Sequence, residues 1–217
     1  MTWRAVAGCL TRGDDLRSAA AHAAFGRLLE HDGPLVSVGG GPTRIHPRLV
    51  NLNILCGRGV DLVATAYTLP FADRSIGGIH CEAVLEHLED PGTAVAEMFR
   101  VLRPGGLVFA ATPFLQPYHA YPDHYQNFTL RGHSRLFERA GFTVLDAGTC
   151  VGPSFTMVDL MANFAREYTP GRWPSRILER GIRAAGRVLR LPDIALRHHK
   201  ASANLASSTF VLAQRTP

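Results

Sequence analysis

Three histidines lie among carboxylates and tyrosines in two short stretches of this chain, and such side chains could move protons near neutral pH. Residues 81–87 read CEAVLEH, and residues 113–125 read PFLQPYHAYPDHY. Histidine has the ordinary pKa closest to neutrality, which suits it to general acid–base catalysis. We predict His119 as a catalytic base, followed by His124 and Tyr125, while a loop role with hydrogen bonds to the backbone is equally open for each.

Other polar side chains near these stretches are predicted to contact a small molecule. The candidates are Glu86, Tyr118, Asp123 and, at the entry to a later segment, Ser154. A structural role is also open for His87, because its position before a predicted helix allows it to cap or orient that helix.

The elements that must position these residues can be read from the apolar pattern of residues 69–113. Residues 76–81 are few and mostly apolar, as in a buried strand. Pro91 opens a predicted helix, and the Arg-Pro-Gly-Gly run at 103–106 ends it before a second strand at 107–111. This alternation predicts one α/β layer around a parallel sheet.

Along the whole chain, the pattern predicts a doubly wound α/β fold with a mainly parallel sheet of seven strands and helices on both faces. Only about eight residues separate Gly41 from the second strand, too few for a crossover helix, so the first βαβ unit is predicted to be trimmed. The predicted strands are 34–38, 49–55, 60–64, 76–81, 107–111, 142–147 and 208–214, and a further helix covers 131–140.

A lead-in helix is predicted over residues 14–31, with Asp14 or Asp15 as its N-terminal cap. Its expected apolar face consists of Ala19, Ala23, Phe25, Leu28 and Leu29.

A helical insertion, residues 151–205, is predicted before the last strand. Its first helix carries an apolar stripe, and its second carries arginines at helical spacing. In sheets of this kind the binding crevice lies at the carboxyl ends of the strands, so the insertion could form a lid or a dimer contact, while core packing of the stripe is equally open. The stripe consists of Met157, Leu160, Met161 and Phe164, and the arginines are Arg176, Arg180, Arg183, Arg187 and Arg190.

Composition narrows the class of protein. The chain has 217 residues and a formal net charge of +5. Basic charge can favour nucleic acid, but no nucleic-acid-binding motif occurs, so we do not expect such a partner. No stretch is long and apolar enough to span a membrane, which favours a cytoplasmic protein. The four cysteines are scattered without a CxxC pair, so we expect neither a disulfide framework nor a metal site.

Several short motifs occur together and in order: LPF at 69–71, LEH at 85–87, RVLRPGG at 100–106, PFLQPYH at 113–119 and DHY at 123–125. In this order they resemble the class I S-adenosylmethionine-dependent methyltransferases, in particular a compact subgroup of the methyltransferase type 11 kind. The resemblance implies a Rossmann-like sheet and one domain over residues 1–217. Its parts would be a lead-in helix (1–33), a cofactor-binding core (34–150), an insertion or lid (151–205) and the last strand (206–217).

The resemblance also implies S-adenosylmethionine as the cofactor. A glycine turn at Gly39, Gly40 and Gly41 would lie under its methionine part, because glycine lets a backbone approach a ligand closely. The other implied cofactor-binding residues are Ser37, Asn53, Thr65, Ala66, Leu69, Cys81, Glu82 and His87.

The chain departs from the family pattern at several cofactor positions. The family usually has carboxylates where this chain has Ser37, Asn53 and Thr65, and a Phe-Asp pair near Ile76-Gly77-Gly78. Hydrogen bonds to charged groups are worth about 1.5 to 3 kcal/mol, against about 1 kcal/mol for neutral ones. Three alternatives therefore remain for this protein: it binds the cofactor weakly, it uses the cofactor in an unconventional way, or it no longer binds it.

The expected function is methyl transfer to a small-molecule acceptor, in a specialised biosynthetic pathway. One alternative is an enzyme of the same fold that uses the cofactor for cyclisation or rearrangement. The other is a non-catalytic protein whose insertion binds a partner. An apolar insertion exposed to solvent would also favour a homodimer.

Overall fold

A computed structural model describes residues 17–120, 123–189, 196 and 201–216 of the chain. Seven strands form one sheet in the order β3-β2-β1-β4-β5-β7-β6. The strands are β1 (Leu35–Val38), β2 (Leu49–Asn53), β3 (Leu62–Val63), β4 (Ile76–Glu82), β5 (Leu102–Pro113), β6 (Phe142–Val151) and β7 (Ser208–Arg215).

The sheet is mainly parallel, as the sequence predicts. Strands β3, β2, β1, β4 and β5 pair in parallel, and β7 lies antiparallel between β5 and β6. Parallel pairing brings the carboxyl ends of β1, β2, β4 and β5 to one edge of the sheet. We call this the carboxyl edge.

Among the described residues, five α-helices flank the sheet. They are α1 (Ala19–Glu30), α2 (Pro91–Val101), α3 (Leu130–Arg139), α4 (Pro153–Tyr168) and α5 (Arg172–Leu189), with short 3-10 helices at Leu85–His87 and Ser202–Leu205. One hydrophobic core lies between the sheet and helices α2 and α3, and a second lies under α1 and the start of α4. The predicted α/β fold with helices on both faces is confirmed.

Helix α1 begins later than predicted and buries only part of the predicted face, including Phe25 and Leu28. Ser18 caps it by accepting a hydrogen bond from the Ala21 amide, and the predicted caps Asp14 and Asp15 lie outside the described residues. Ala19 and Ala23 are exposed, against the prediction, because the buried positions are Ala21, Ala24, Phe25 and Leu28.

The Gly77-Gly78 pair has a packing role. A Cβ at Gly77 would lie 2.2 Å from the Asp32 carbonyl oxygen, and one at Gly78 would lie 2.7 Å from a Leu28 methyl group. Larger residues would push α1 and the turn after it away from β4, which gives a physical reason for this departure from the family pattern.

The first connection is trimmed, as predicted: residues 39–48 are all described and form turns without a helix. Strands β2 and β3 are shorter than predicted. Strand β5 is longer, because the Arg-Pro-Gly-Gly run at 103–106 continues as extended chain after α2 instead of separating the helix from the strand.

The insertion forms α4 and α5, and its apolar stripe faces solvent. Met157, Met161 and Phe164 are 60%, 52% and 66% exposed, so the core-packing alternative is wrong. Helix α4 instead buries other residues: Phe155, Thr156, Val158, Ala162 and Ala165.

On α5, the half-buried Arg183 forms ion pairs with Glu179 and with Asp159 of α4, whereas Arg176 and Arg180 are exposed. The side chain of Arg187 and the whole of Arg190 lie outside the described parts of the chain. Among the described helices, none is long and apolar enough to cross a bilayer.

Candidate active site

A sharp bend after β4 carries the chain across the carboxyl edge. Ala83 has a φ of 53°, a conformation that non-glycine residues rarely adopt, and the 3-10 helix Leu85–His87 follows directly. Backbone strain of this kind tends to occur at functional sites. The bend places Glu86 and His87 next to the end of β5.

The side chain of Glu86 is buried at the centre of this edge. It is 0% exposed, and the Thr112 hydroxyl at the end of β5 donates to its Oε2 at 3.2 Å. The other oxygen, Oε1, has no hydrogen-bond partner among the described residues. Burial raises the pKa of Glu86 to about 8, so the carboxyl group is mainly neutral at pH 7.

His87 anchors the loop that follows β5. Its Nδ1 lies 2.6 Å from the backbone oxygen of Asp123, and a carbonyl can only accept, so Nδ1–H donates. The predicted helix-capping role of His87 is wrong, because the Asp90 side chain caps α2 by accepting from the Thr93 amide. Burial lowers the pKa of His87 below its ordinary value.

His119 approaches Glu86 from that loop. Its Nδ1–H donates to the Pro117 backbone oxygen at 3.0 Å, which leaves a lone pair on Nε2. Nε2 lies 4.0 Å from the free Oε1 of Glu86, and the side chain is 23% exposed. Burial lowers the pKa of His119, so this histidine is neutral near pH 7 and can accept a proton.

His124 is less suited to accept a proton. Its Nδ1 accepts from the His119 amide at 3.2 Å, and its Nε2 lies 2.7 Å from the side-chain oxygen of Asn127. The Asn127 amide nitrogen donates to the Gln116 carbonyl, which fixes the orientation of the amide. Both ring nitrogens of His124 are therefore engaged, and its ring packs 4.3 Å from that of His119.

Tyr125 also serves to hold the loop. Its hydroxyl donates to Glu89 at 3.0 Å, and this hydrogen bond raises the Tyr125 pKa to about 12. Its backbone amide donates to the Glu86 carbonyl. A phenol with so high a pKa is a poor base near neutral pH.

Of the predicted substrate-binding residues, Tyr118 and Asp123 lie beside the histidines, while Ser154 lies on a different element. Tyr118 is 70% exposed and stacks on His124, and Asp123 contributes its backbone oxygen to His87. Ser154 lies in the first turn of α4. Helix α4 affects the site through the charge of Asp159. This charge acts to raise the pKa of His119, but burial lowers that pKa by more.

The glycine turn lies at the end of β1, on the same edge. Gly39 and Gly41 have φ angles of 70° and 67°, which favour glycine. A Cβ at Gly39 would lie 2.2 Å from a Val84 methyl group, and one at Gly40 would lie 2.1 Å from Oδ1 of Asn51. Gly39 and Gly40 are thus close-approach positions toward the protein's own side chains.

A small cavity of about 260 Å³ opens between the glycine turn and the end of β2. Its lining includes Pro42, Leu55, Val60 and the predicted Asn53. Asn53 accepts a hydrogen bond from the Ile54 amide, as a carboxylate also could. Thr65 accepts one from the Tyr67 amide and lies in the loop after β3.

Three predicted cofactor residues have their side chains in the main core. Cys81 is 0% exposed, Leu69 is 2% exposed and Ala66 is 8% exposed. Burial strongly raises the pKa of the Cys81 thiol, which stays protonated. The described conformation offers little of these side chains to a ligand.

A buried polar chain links β1 to β4 and was missed from the sequence. The Ser37 hydroxyl hydrogen-bonds Nδ1 of His80 at 3.1 Å, and Nε2–H of His80 donates to Glu82 at 3.2 Å. Arg17 forms an ion pair with Glu82. Burial opposes ionisation of Glu82, but hydrogen bonds from His80 and Arg17 outweigh it and lower the Glu82 pKa to about 2.

The sequence does contain a signal for this hydrogen-bonded series of polar side chains. His80 and Glu82 are two residues apart on an otherwise apolar strand, so their side chains share one face of the sheet. Two other buried residues were also missed: Thr112, which supports Glu86, and Asn51, whose Oδ1 has no partner among the residues described here.

A larger depression of about 620 Å³ lies at the opposite edge of the sheet. It is open and is lined in part by His31, Asp32 and Arg103, and it contains none of the predicted site residues. Size alone would favour this depression, whereas the converging histidines, the buried carboxyl group and the glycine turn favour the carboxyl edge.

Comparison with known proteins supports the resemblance to methyltransferases. The family model described as "Methyltransferase domain" matches residues 45–110, a span that excludes the glycine turn and the His119 loop. A Mycolicibacterium smegmatis protein named "Probable S-adenosylmethionine-dependent methyltransferase" is 36% identical over 84 residues, which is 36% of this chain and 33% of that protein. The aligned segments cover between 13% and 33% of the curated relatives' lengths.

Solved structures share the whole fold. The 1,6-didemethyltoxoflavin-N1-methyltransferase of Burkholderia thailandensis, solved with bound 1,6-didemethyltoxoflavin and S-adenosylhomocysteine, has a TM-score of 0.57 at 15% identity, covering 99% of this chain and 84% of that one. The [4+2]-cyclase SpnF has a TM-score of 0.58 at 17% identity, covering 94% and 85%. The motifs, the sheet order and these matches agree and support a class I S-adenosylmethionine-dependent methyltransferase: residues 45–110 match the family model, and the solved structures share the fold.

Proposed function

We propose that this protein transfers a methyl group from S-adenosylmethionine to a small-molecule acceptor at the carboxyl edge. The observation that carries the proposal is the free Nε2 lone pair of His119, held beside the buried Glu86 on the same edge as the glycine turn. A place in a specialised biosynthetic pathway and a cytoplasmic location stay predictions.

The residues present fit the cofactor. The cavity at Asn53 has apolar walls and one amide, which suits an adenosine group, and the orphaned Oδ1 of Asn51 lies behind the glycine turn. Backbone groups of Gly39–Gly41 and the carboxylate of Glu82 would face the charged methionine end. Ser37 would act indirectly, because its hydroxyl is committed to His80.

The acceptor would bind beside His119, between α4 and the loop that follows β5 and carries His119 and His124, which we call the post-β5 loop. When bound, the cofactor would supply an electrophilic methyl group on its sulfonium sulfur, and the acceptor's lone pair would be directed at that methyl group. His119 Nε2 would take the proton that the acceptor loses. Holding the reactants in line contributes further to the rate.

The experiment is a calorimetric titration with S-adenosylhomocysteine of the wild type, Gly41→Ala and Gly105→Ala. Both glycines have positive φ, 67° and 80°, so both variants carry similar backbone strain, and a Cβ at Gly105 meets nothing within 4 Å. We expect Gly41→Ala to weaken binding at least about tenfold, or about 1.4 kcal/mol, and Gly105→Ala to leave it unchanged. Absence of wild-type binding, or equal losses in both variants, would contradict the proposal.

A second candidate is an enzyme that uses the cofactor without transferring its methyl group, for cyclisation or rearrangement. The neutral Ser37, Asn53 and Thr65 favour it, because a site without the usual charges need not bind the cofactor in the usual way. A fold shared with a cyclase supports it at the level of the scaffold only. Chromatographic detection of S-adenosylhomocysteine after incubation with S-adenosylmethionine and acceptor separates the two reactions.

We also propose that the exposed stripe of α4 binds a second copy of this chain. Its four apolar side chains span two helical turns, so the same stripe on two copies could pack about a two-fold axis. Burial of this surface would remove an exposed apolar patch next to the site.

A further inference from the structure

Three metal-ligating side chains converge at the carboxyl edge. They are Glu86, His87 and His119, and their ligating atoms all lie within 4.8 Å of one another. From Oε1 of Glu86, the distance is 3.7 Å to Nε2 of His87 and 4.0 Å to Nε2 of His119. These separations are too long for hydrogen bonds, so the three groups face one another without bonding.

Both histidines are fixed in the tautomer that a metal ion requires. Nδ1–H of His87 donates to the Asp123 carbonyl, and Nδ1–H of His119 donates to the Pro117 carbonyl. Metal-binding histidines usually donate their second ring N–H to a carbonyl or carboxylate, which orients the ring and fixes the lone pair. Both Nε2 lone pairs are therefore directed toward the space beside Glu86.

Glu86 is the independent indication of a ligand. Thr112 holds its Oε2, while Oε1 is buried and has no partner within the described part of the chain. A buried carboxyl oxygen left without a partner is costly, and a cation among the three groups would offset that cost.

We propose that Glu86, His87 and His119 bind one divalent transition-metal ion. Two imidazole nitrogens and one carboxylate oxygen suit Zn²⁺ or Fe²⁺, whereas Mg²⁺ prefers ligand sets made of oxygen. Metal–ligand bonds of about 2.0 to 2.2 Å place neighbouring ligand atoms about 3 to 3.5 Å apart, so side-chain movements of under about 1 Å would close the site. Positions beyond the three protein ligands would stay open toward the partly exposed side of His119.

The ion would give the site a second way to activate an acceptor. An acceptor hydroxyl bound to the ion would lose its proton more readily, since metal ions lower the pKa of bound oxygen groups, and the proton would pass to solvent. With the ion bound, the Nε2 lone pair of His119 forms a metal bond, so His119 is a ligand in the loaded protein and a base only in the metal-free one.

The test is titration of tag-free, chelator-treated protein with Co²⁺, monitored through its visible absorption, and then with Zn²⁺ as competitor. No cofactor is added, so the result is independent of the proposed methyl transfer. We expect one equivalent to bind, with affinity reduced at least 100-fold in Glu86→Gln, His87→Ala and His119→Ala. The control His22→Gln, at an exposed histidine on α1, should bind as the wild type does, and Mg²⁺ should not compete.

Circular dichroism and the melting temperature check that each variant folds. His119→Gln provides a second, milder change on the same loop if His119→Ala unfolds, and the wild-type titration needs no variant. Absence of a Co²⁺ absorption band in the wild type would overturn the proposal. Binding that survives all three ligand substitutions, or that His22→Gln removes, would overturn it as well.

Discussion

At the scale of single residues, burial holds several histidines of this protein in the neutral form. His133 on α3 is 0% exposed, its Nδ1 hydrogen-bonds the Thr209 hydroxyl at 3.1 Å, and burial lowers its pKa to about 3. The same physical effect acts on His87 and His119. Burial thus keeps these three histidines neutral near pH 7.

His133 should make the fold sensitive to acid. The unfolded chain protonates this histidine near pH 6.5 and the native state only near pH 3, so between these values the unfolded state binds more protons. Stability should be unaffected by His133 above pH 6.5 and fall by up to about 1.4 kcal/mol per pH unit below it. We expect His133→Gln to show a shallower loss between pH 6.5 and 4 in urea unfolding.

Other groups, Glu82 among them, also lose native interactions in acid, so the quantity to compare is the difference between variant and wild type. His22→Gln on the exposed surface of α1 is the control and should follow the wild-type profile. Parallel profiles for His133→Gln and the wild type would contradict the account.

The cofactor positions also have to be understood residue by residue. Ser37 replaces a usual carboxylate, and its hydroxyl joins a chain to His80 and the carboxylate of Glu82. A negative charge therefore lies on the neighbouring strand, two hydrogen bonds from Ser37. The sequence pattern shows that a carboxylate is absent at position 37. It does not show that Glu82 supplies a negative charge nearby, because that connection depends on the pairing of Ser37 with His80 across β1 and β4.

At the scale of elements, the insertion combines a buried face and an exposed one. Phe155 of α4 is 6% exposed, while Phe164 of the same helix is 66% exposed. Arg183 of α5 forms an ion pair with Asp159 of α4, and this ion pair joins the two helices. The apolar stripe is left on the surface as a candidate contact between copies.

Phe164→Glu should reduce self-association. A charge in the centre of an apolar interface must be desolvated, so we expect the dimer dissociation constant to rise at least about tenfold in sedimentation velocity. Val63→Glu introduces the same charge at an exposed apolar residue of β3 and should have no effect. A wild type that stays monomeric at all concentrations, or equal effects of both variants, would reject a dimer through α4.

Elements with strong local signals were predictable, and faces decided by tertiary packing were not. Pro91 and the apolar periodicity gave α2 correctly, and the short distance from Gly41 to β2 gave the trimmed connection. The buried face of α1 and the exposure of the α4 stripe depend on which neighbours each helix meets. His87 shows the same limit, because its Nδ1 bonds a residue 36 positions away.

At the scale of the molecule, the parallel sheet gathers the ends of four strands at one edge. The post-β5 loop lies against the 3-10 helix through Tyr125, Gln126 and the imidazole of His87. The sequence predicted that the motif residues would converge at this edge. It did not predict the set of Glu86, His87 and His119, because two ligands adjacent in the chain meet a third only through the folded loop.

Hydrogen–deuterium exchange with and without S-adenosylhomocysteine locates a bound cofactor without requiring the acceptor. We expect slower exchange in residues 36–41, 51–54 and 82–87, with no change at 27–32 and 103–107 around the larger depression. Protection confined to the larger depression, or no protection at saturating ligand, would contradict the placement of the cofactor at the carboxyl edge.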